Sequence, residues 1–134
     1  MPTPDQQRVA MSLLTADHDM EAAEALVNAA PHLYENIGFQ CQQAVEKYAK
    51  AVLVASGIPL QFIHNIVTLI RPLQQAGVVS FTQQDFADAA TLTEFAVDLR
   101  YETDDAPSFT SADLLAMAYR FRTKLRPLAQ AFLI

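Results

Sequence analysis

The stretch "GFQCQQAVEKYAKAVLVASGIP", residues 38–59, decides the fold. Ile37, Cys41, Ala44, Val45, Tyr48, Val52 and Ala55 recur at spacings of three and four, the stripe by which a helix packs on a core. Gln43, Glu46, Lys47 and Lys50 fall at i, i+3, i+4 and i+7 on another face. The helix should stop at "SGIP". Gly57 suits a left-handed C′ position, Ile58 can pack back on the last turn, and Pro59 forbids continuation. Glu46 and Lys50 can pair at i, i+4, which stabilises a helix by about 0.2–0.5 kcal/mol. Periodicity alone leaves two readings of these polar residues open: the wet side of a helix, or a binding face.

The pattern continues outward on both sides. Val9, Leu13, Ala16, Met20, Ala23, Val27 and Ala30 make one stripe, predicting a first helix from about Asp5, as N-cap, to Ala30. Pro31 can open the second helix, because a first-turn proline loses no helical hydrogen bond. A shorter third helix is predicted over about His64–Ala76, kinked or divided at Pro72. Thr82 and Asp85 form a capping-box-like pair for a fourth helix over about Gln83–Tyr101, followed by the polar loop "ETDDAPS". Thr110 and Asp113 repeat the arrangement for a fifth over about Ser111–Phe132, with Pro127 bending its end. Helices with one apolar stripe each must share a core. The predicted fold is all-α, an up-and-down four- to five-helix bundle in a single domain, residues 1–134. The apolar "LAQAFLI" end either packs on the bundle or joins a dimer interface.

Composition narrows the function. The chain is 51% hydrophobic and 18% charged, which argues against disorder. Its net charge of −6 gives an overall field that repels a phosphate backbone, so DNA is not an expected partner. One cysteine, Cys41, excludes an intrachain disulfide and suits a reducing compartment. No signal-peptide pattern opens the chain, and "AVLVASGIPL" is too short to span a bilayer. The expected location is the cytoplasm, with no membrane contact.

Few residues suggest chemistry outright. His18 and Glu21 stand at the i, i+3 spacing of a bundle metal ligand pair, but His32 and His64 supply no second pair. The acidic run around Asp17 and Asp19 therefore reads as a solvated face, and no metal or other cofactor is expected. Cys41 lies on the apolar stripe and reads as an inert buried thiol. The three glycines are isolated, so no phosphate-cradling loop exists. Arg100 and Tyr101, in "DLRYETDD", end an apolar helix beside an acidic loop. Arg100 there is favourable on dipole grounds alone.

Taken in order, "CQQAVEKYAKAVLVASGIP", "IHNI" and "FAVDLRYE" resemble the HEPN domain family. Gln43, Ala44, Glu46, Lys47, Lys50 and Ala51 match its Gln-Ala-x-Glu-Lys-x-x-Lys-Ala helix. Gly57, Ile58 and Pro59 match its Gly-Ile-Pro closure, and His64 and Arg100-Tyr101 its Thr-His-Asp-Leu-like and Arg-Tyr-Pro elements. "ADHDMEAAEAL" is similar to the family's opening segment, so the likeness covers nearly the whole chain.

The resemblance implies a helical bundle, commonly a homodimer, linked to nucleotides or RNA. It also implies a minimal nucleotidyltransferase partner in toxin–antitoxin pairs. A ligand groove lined by Gln43, Glu46, Lys47, Lys50, His64, Arg100 and Tyr101 follows from it, the cations meeting phosphate and Tyr101 stacking on a base. Active members are metal-independent ribonucleases with an Arg-x(4–6)-His motif. Here Arg8 precedes His18 by ten residues, and no histidine follows Arg71, Arg100, Arg120, Arg122 or Arg126. The expected protein is therefore a non-catalytic, dimerising module rather than an enzyme. The alternatives are a divergent ribonuclease using His64 with Arg100, or a purely structural scaffold.

Overall fold

The computed structural model describes residues 1–96 and 108–134. Five α-helices make up the described chain: α1 (Pro4–Ala29), α2 (Tyr34–Ala55), α3 (Ile66–Gln75), α4 (Gln83–Thr93) and α5 (Ser111–Phe132). A single 3-10 turn, Glu94–Ala96, extends α4. Among the described residues there is no strand, and no helix is long and apolar enough to cross a membrane. The expected continuation of the fourth helix to Tyr101, and nearly all of the "ETDDAPS" loop, lie outside the described residues.

Local chemistry explains most boundaries. Thr82 and Thr110 each accept the N3 backbone N–H of their helix while the aspartate at N3 bonds back, completing capping boxes. At α1 the cap is Thr3 paired with Gln6, not Asp5, because Pro4 takes the first helical position. Pro31 does not open α2. Residues 31–33 form a turn in which Leu33 N–H donates to the Ala30 carbonyl, so the helix begins at Tyr34. Nor does His64 lie in α3, since Asn65 caps that helix through Thr68. Pro72 sits inside α3 without dividing it.

Side-chain ties give the directions. Asp17 and Asp19 on α1 meet Tyr48 and Lys47 on α2, so these two helices are antiparallel. Gln6 and Asp17 on α1 meet Phe132 and Arg126 of α5, again antiparallel. Consequently α2 and α5 run the same way. Asp85 and Asp88 on α4 bond to Lys124 and Arg120 of α5, which sets α4 against both. The chain reverses between α2 and α3 without a helix. Ile58 N–H donates to the Leu53 carbonyl, and the His64 carbonyl accepts Gln42 Nε2. Extended chain covers about 20 Å in those six steps, against about 16 Å for the eleven helical steps from Leu53 back to Gln42. Residues 58–64 thus lie alongside α2 as a return strap.

The core draws on every helix, from Val9, Met20, Tyr48 and Ile70 to Leu92 and Phe121. One close approach is at Gly38. A Cβ there would overlap the ring of Phe95, so only glycine lets α2 meet the turn that follows α4.

Candidate functional site

The strap brings His64 to the polar stripe of α2, and Glu46 organises what meets there. Glu46 is 4% exposed, far from the wet position that its place in the sequence stripe suggests. Its Oε1 lies 2.7 Å from Lys50 Nζ and 2.8 Å from His64 Nδ1. Its Oε2 accepts Gln42 Nε2 at 2.8 Å. Burial by itself would raise the Glu46 carboxyl, but the bonds from Lys50, Gln42 and His64 outweigh it and hold the group below its ordinary value. A buried carboxylate accepting charge-assisted bonds is a fixed anion.

Two consequences follow for its partners. With His64 Nδ1 bonded to the carboxylate, Nδ1 carries the hydrogen and Nε2 is the ring nitrogen left for other contacts. The His64 side chain is 69% exposed, so that nitrogen is accessible. Lys50 is 24% exposed and gives one of its three N–H donors to Glu46, leaving two. Gln43 is half-buried and gives its amide N–H to Gln42 Oε1 at 2.8 Å.

Lys47 stands apart. Its Nζ lies 2.7 Å from Asp19 Oδ2 of α1, which turns it away from the Glu46 cluster. Of the residues singled out in the sequence, the structure therefore joins Gln43, Glu46, Lys50 and His64. Lys47 flanks them towards α1. Arg100 and Tyr101 lie outside the described residues. Gln42 is not singled out by the sequence, yet it is fully buried and ties α2 to the strap. Its i, i+4 spacing to Glu46 is the available signal.

The acidic stretch of α1 is not a free solvated face either. Asp17 accepts the Tyr48 hydroxyl at 2.5 Å and the Arg126 guanidinium at 3.0 and 2.8 Å. The Arg126 bonds hold its carboxyl below the usual range, against the opposing effect of burial. Among the described residues no group of three or more metal-ligating side chains comes together. Cys41 is buried, and burial pushes its thiol up to about 12, which keeps it protonated and unreactive.

Two exposed aromatic side chains lie on the same two segments. Phe39 lies one turn before Gln43 on the stripe that holds Gln43, Glu46 and Lys50, and is 43% exposed. Phe62, two residues before His64 on the strap, is 99% exposed.

Comparison with known proteins agrees with the architecture. No curated protein matches the chain. The crystal structure of ST0689, an archaeal HEPN homologue, superposes with a TM-score of 0.65 at 23% identity, covering 92% of this chain and 97% of that one. The crystal structure of TT1696 from Thermus thermophilus gives a TM-score of 0.60 at 23% identity, covering 94% of this chain and 93% of the other. These likenesses concern the fold. The sequence model of the HEPN domain matches residues 9–125, nearly the whole bundle. On that match, the chain belongs to the HEPN domain family.

Proposed function

We propose that this HEPN domain is a non-catalytic module that binds the phosphate of a nucleotide or RNA. In this reading it acts in the cytoplasm as a homodimer, paired with a minimal nucleotidyltransferase in a toxin–antitoxin system. The observation that carries the ligand reading is the Glu46 cluster. One buried carboxylate holds an ammonium and a histidine ring at the surface, with two Lys50 donors open to a ligand and, in the imidazolium form, His64 Nε2–H as a third. Preorganised donors of this kind suit an anion that makes several short hydrogen bonds, which phosphate does. Lys47, neutralised by Asp19, adds electrostatic support rather than a direct bond.

Titration of the purified protein with labelled ATP, GTP and a short RNA tests this. Lys50→Ala and His64→Ala should each weaken binding by roughly tenfold, the loss of one charge-assisted bond. Equal affinity in wild type and variants would remove the site. Purification from the native host with the neighbouring gene product tests the partner, and a nucleotidyltransferase is expected to co-elute.

One observation favours a second reading, a divergent ribonuclease. A carboxylate on Nδ1 with Nε2 open is the arrangement of a general base. Incubation with total RNA decides it, because cleavage that persists in His64→Ala, or no cleavage by wild type, excludes that role.

A further inference from the structure

The groove between α1 and α5 is lined by charged residues alone. Asp17, Glu21 and Glu24 supply one wall, Arg122 and Arg126 the other, around about 290 Å³. The fold already occupies two of the carboxylates. Asp17 accepts Tyr48 and Arg126, and Glu24 accepts the Tyr119 hydroxyl. The other three groups have bonding capacity left. Arg126 commits Nε and Nη2 to Asp17, which leaves Nη1. Arg122 stands 3.8 Å from Glu24, an ion pair too long for a hydrogen bond, and 5.8 Å from the centre of the Tyr119 ring. The Glu21 carboxylate has neither an ion pair nor a hydrogen bond among the described residues. Arg122 and Arg126 are one helical turn apart on α5, so their guanidiniums share a face.

This mixture of charge selects against simple ions. A cation entering the groove meets two guanidiniums, and an anion meets three carboxylates. A small molecule carrying both charges can set each against its opposite. We propose that the α1–α5 groove binds a free α-amino acid, its carboxylate on Arg122 and Arg126 and its ammonium on Glu21. The planar guanidinium fork matches a carboxylate, and the charge-assisted bonds on both sides are the strong kind. With no apolar residue in the lining, a small or polar side chain suits the groove, and a large aliphatic one gains no burial there. The site lies on α1 and α5, apart from the Glu46 cluster, and does not depend on the phosphate reading.

Calorimetric titration of the full chain with glycine, serine, asparagine and leucine tests it. Acetate, methylamine, N-acetylglycine and glycine methyl ester serve as the half-ligands. At least one of glycine, serine and asparagine should bind, and leucine no more tightly than glycine. Each half-ligand should bind roughly tenfold more weakly or worse, for want of one charge-assisted contact. Glu21→Gln and Arg122→Gln should each weaken amino-acid binding by a similar factor. The Glu21 side chain ties no element to another, so Glu21→Gln should leave the urea midpoint unchanged and report on the ligand alone. No saturable binding of glycine, serine or asparagine at millimolar concentration would overturn the proposal. So would acetate or methylamine binding as tightly as the amino acid, or full affinity in Glu21→Gln.

Discussion

Glu46 shows how one side chain sets the character of a surface. Its carboxylate is out of water, so every partner it holds is held in place. Glu46→Gln keeps the shape but removes the charge, and the new amide group faces donors where an acceptor stood. The expected cost is about 1–3 kcal/mol in urea unfolding at neutral pH, and a cost near zero would show that Lys50 and His64 are held by something else. Gly38 is the converse case, a residue defined by what it lacks. Phe95 is 3% exposed and has nowhere to retreat when a methyl group arrives. Gly38→Ala should destabilise the fold by about 1–3 kcal/mol as overpacking. Neither role is visible in the sequence. Glu46 sits in a polar stripe that reads equally as a wet face, and the partner that crowds Gly38 is fifty-seven positions away.

At the scale of elements, local chemistry is legible where a few adjacent residues decide the outcome. The Thr82–Asp85 and Thr110–Asp113 boxes form as their spacing predicts, and α5 has the expected bounds. Thr110→Ala should cost about 1 kcal/mol, the usual value of an N-cap, measured as a shift in the denaturation midpoint. Legibility fails where two good signals compete. Asp5 has the chemistry of a cap, but Thr3 with Gln6 satisfies more backbone donors. Pro31 permits a helix start that the turn at residues 31–33 does not take. The apolar pattern admits His64 to a helix, yet the Asn65 cap leaves it one step outside α3. That step matters, because a His64 outside the helix reaches back to α2 and Glu46. The strap has no periodicity of its own. Its path is set by tertiary bonds to α2, so the candidate site is only half readable: the α2 residues are there, but not what they face.

For the molecule as a whole, charge serves mostly to tie helices together. Asp17 links α1 to Tyr48 and Arg126, Asp88 links α4 to Arg120, and Asp85 bonds Lys124 at 2.6 Å. Burial opposes ionisation of Asp85, but its bonds to Lys124 and Thr82 prevail and its carboxyl is held below the usual value, as those of Asp17 and Glu46 are. A carboxyl that ionises more readily when folded lends stability above the ordinary carboxylate range, and that stability is lost as pH falls through the lowered folded values. Unfolding free energy should therefore be level above about pH 5 and decline below about pH 4. Urea titrations across that range check it, and a flat profile into stronger acid would mean these ties contribute nothing net.

The bond from Gln6 Nε2 to the Phe132 carbonyl places the first helix beside the last. During synthesis α1 and α2 can pair as soon as both have left the ribosome. The side of that hairpin that α5 covers must wait for residues 111–132. Until then part of the apolar surface stays open to water, and to any other chain nearby. Emergence of α5, rather than pairing of the earlier helices, is the event that closes the bundle, and a nascent chain stalled before residue 111 would be the form most prone to aggregate or to need a chaperone.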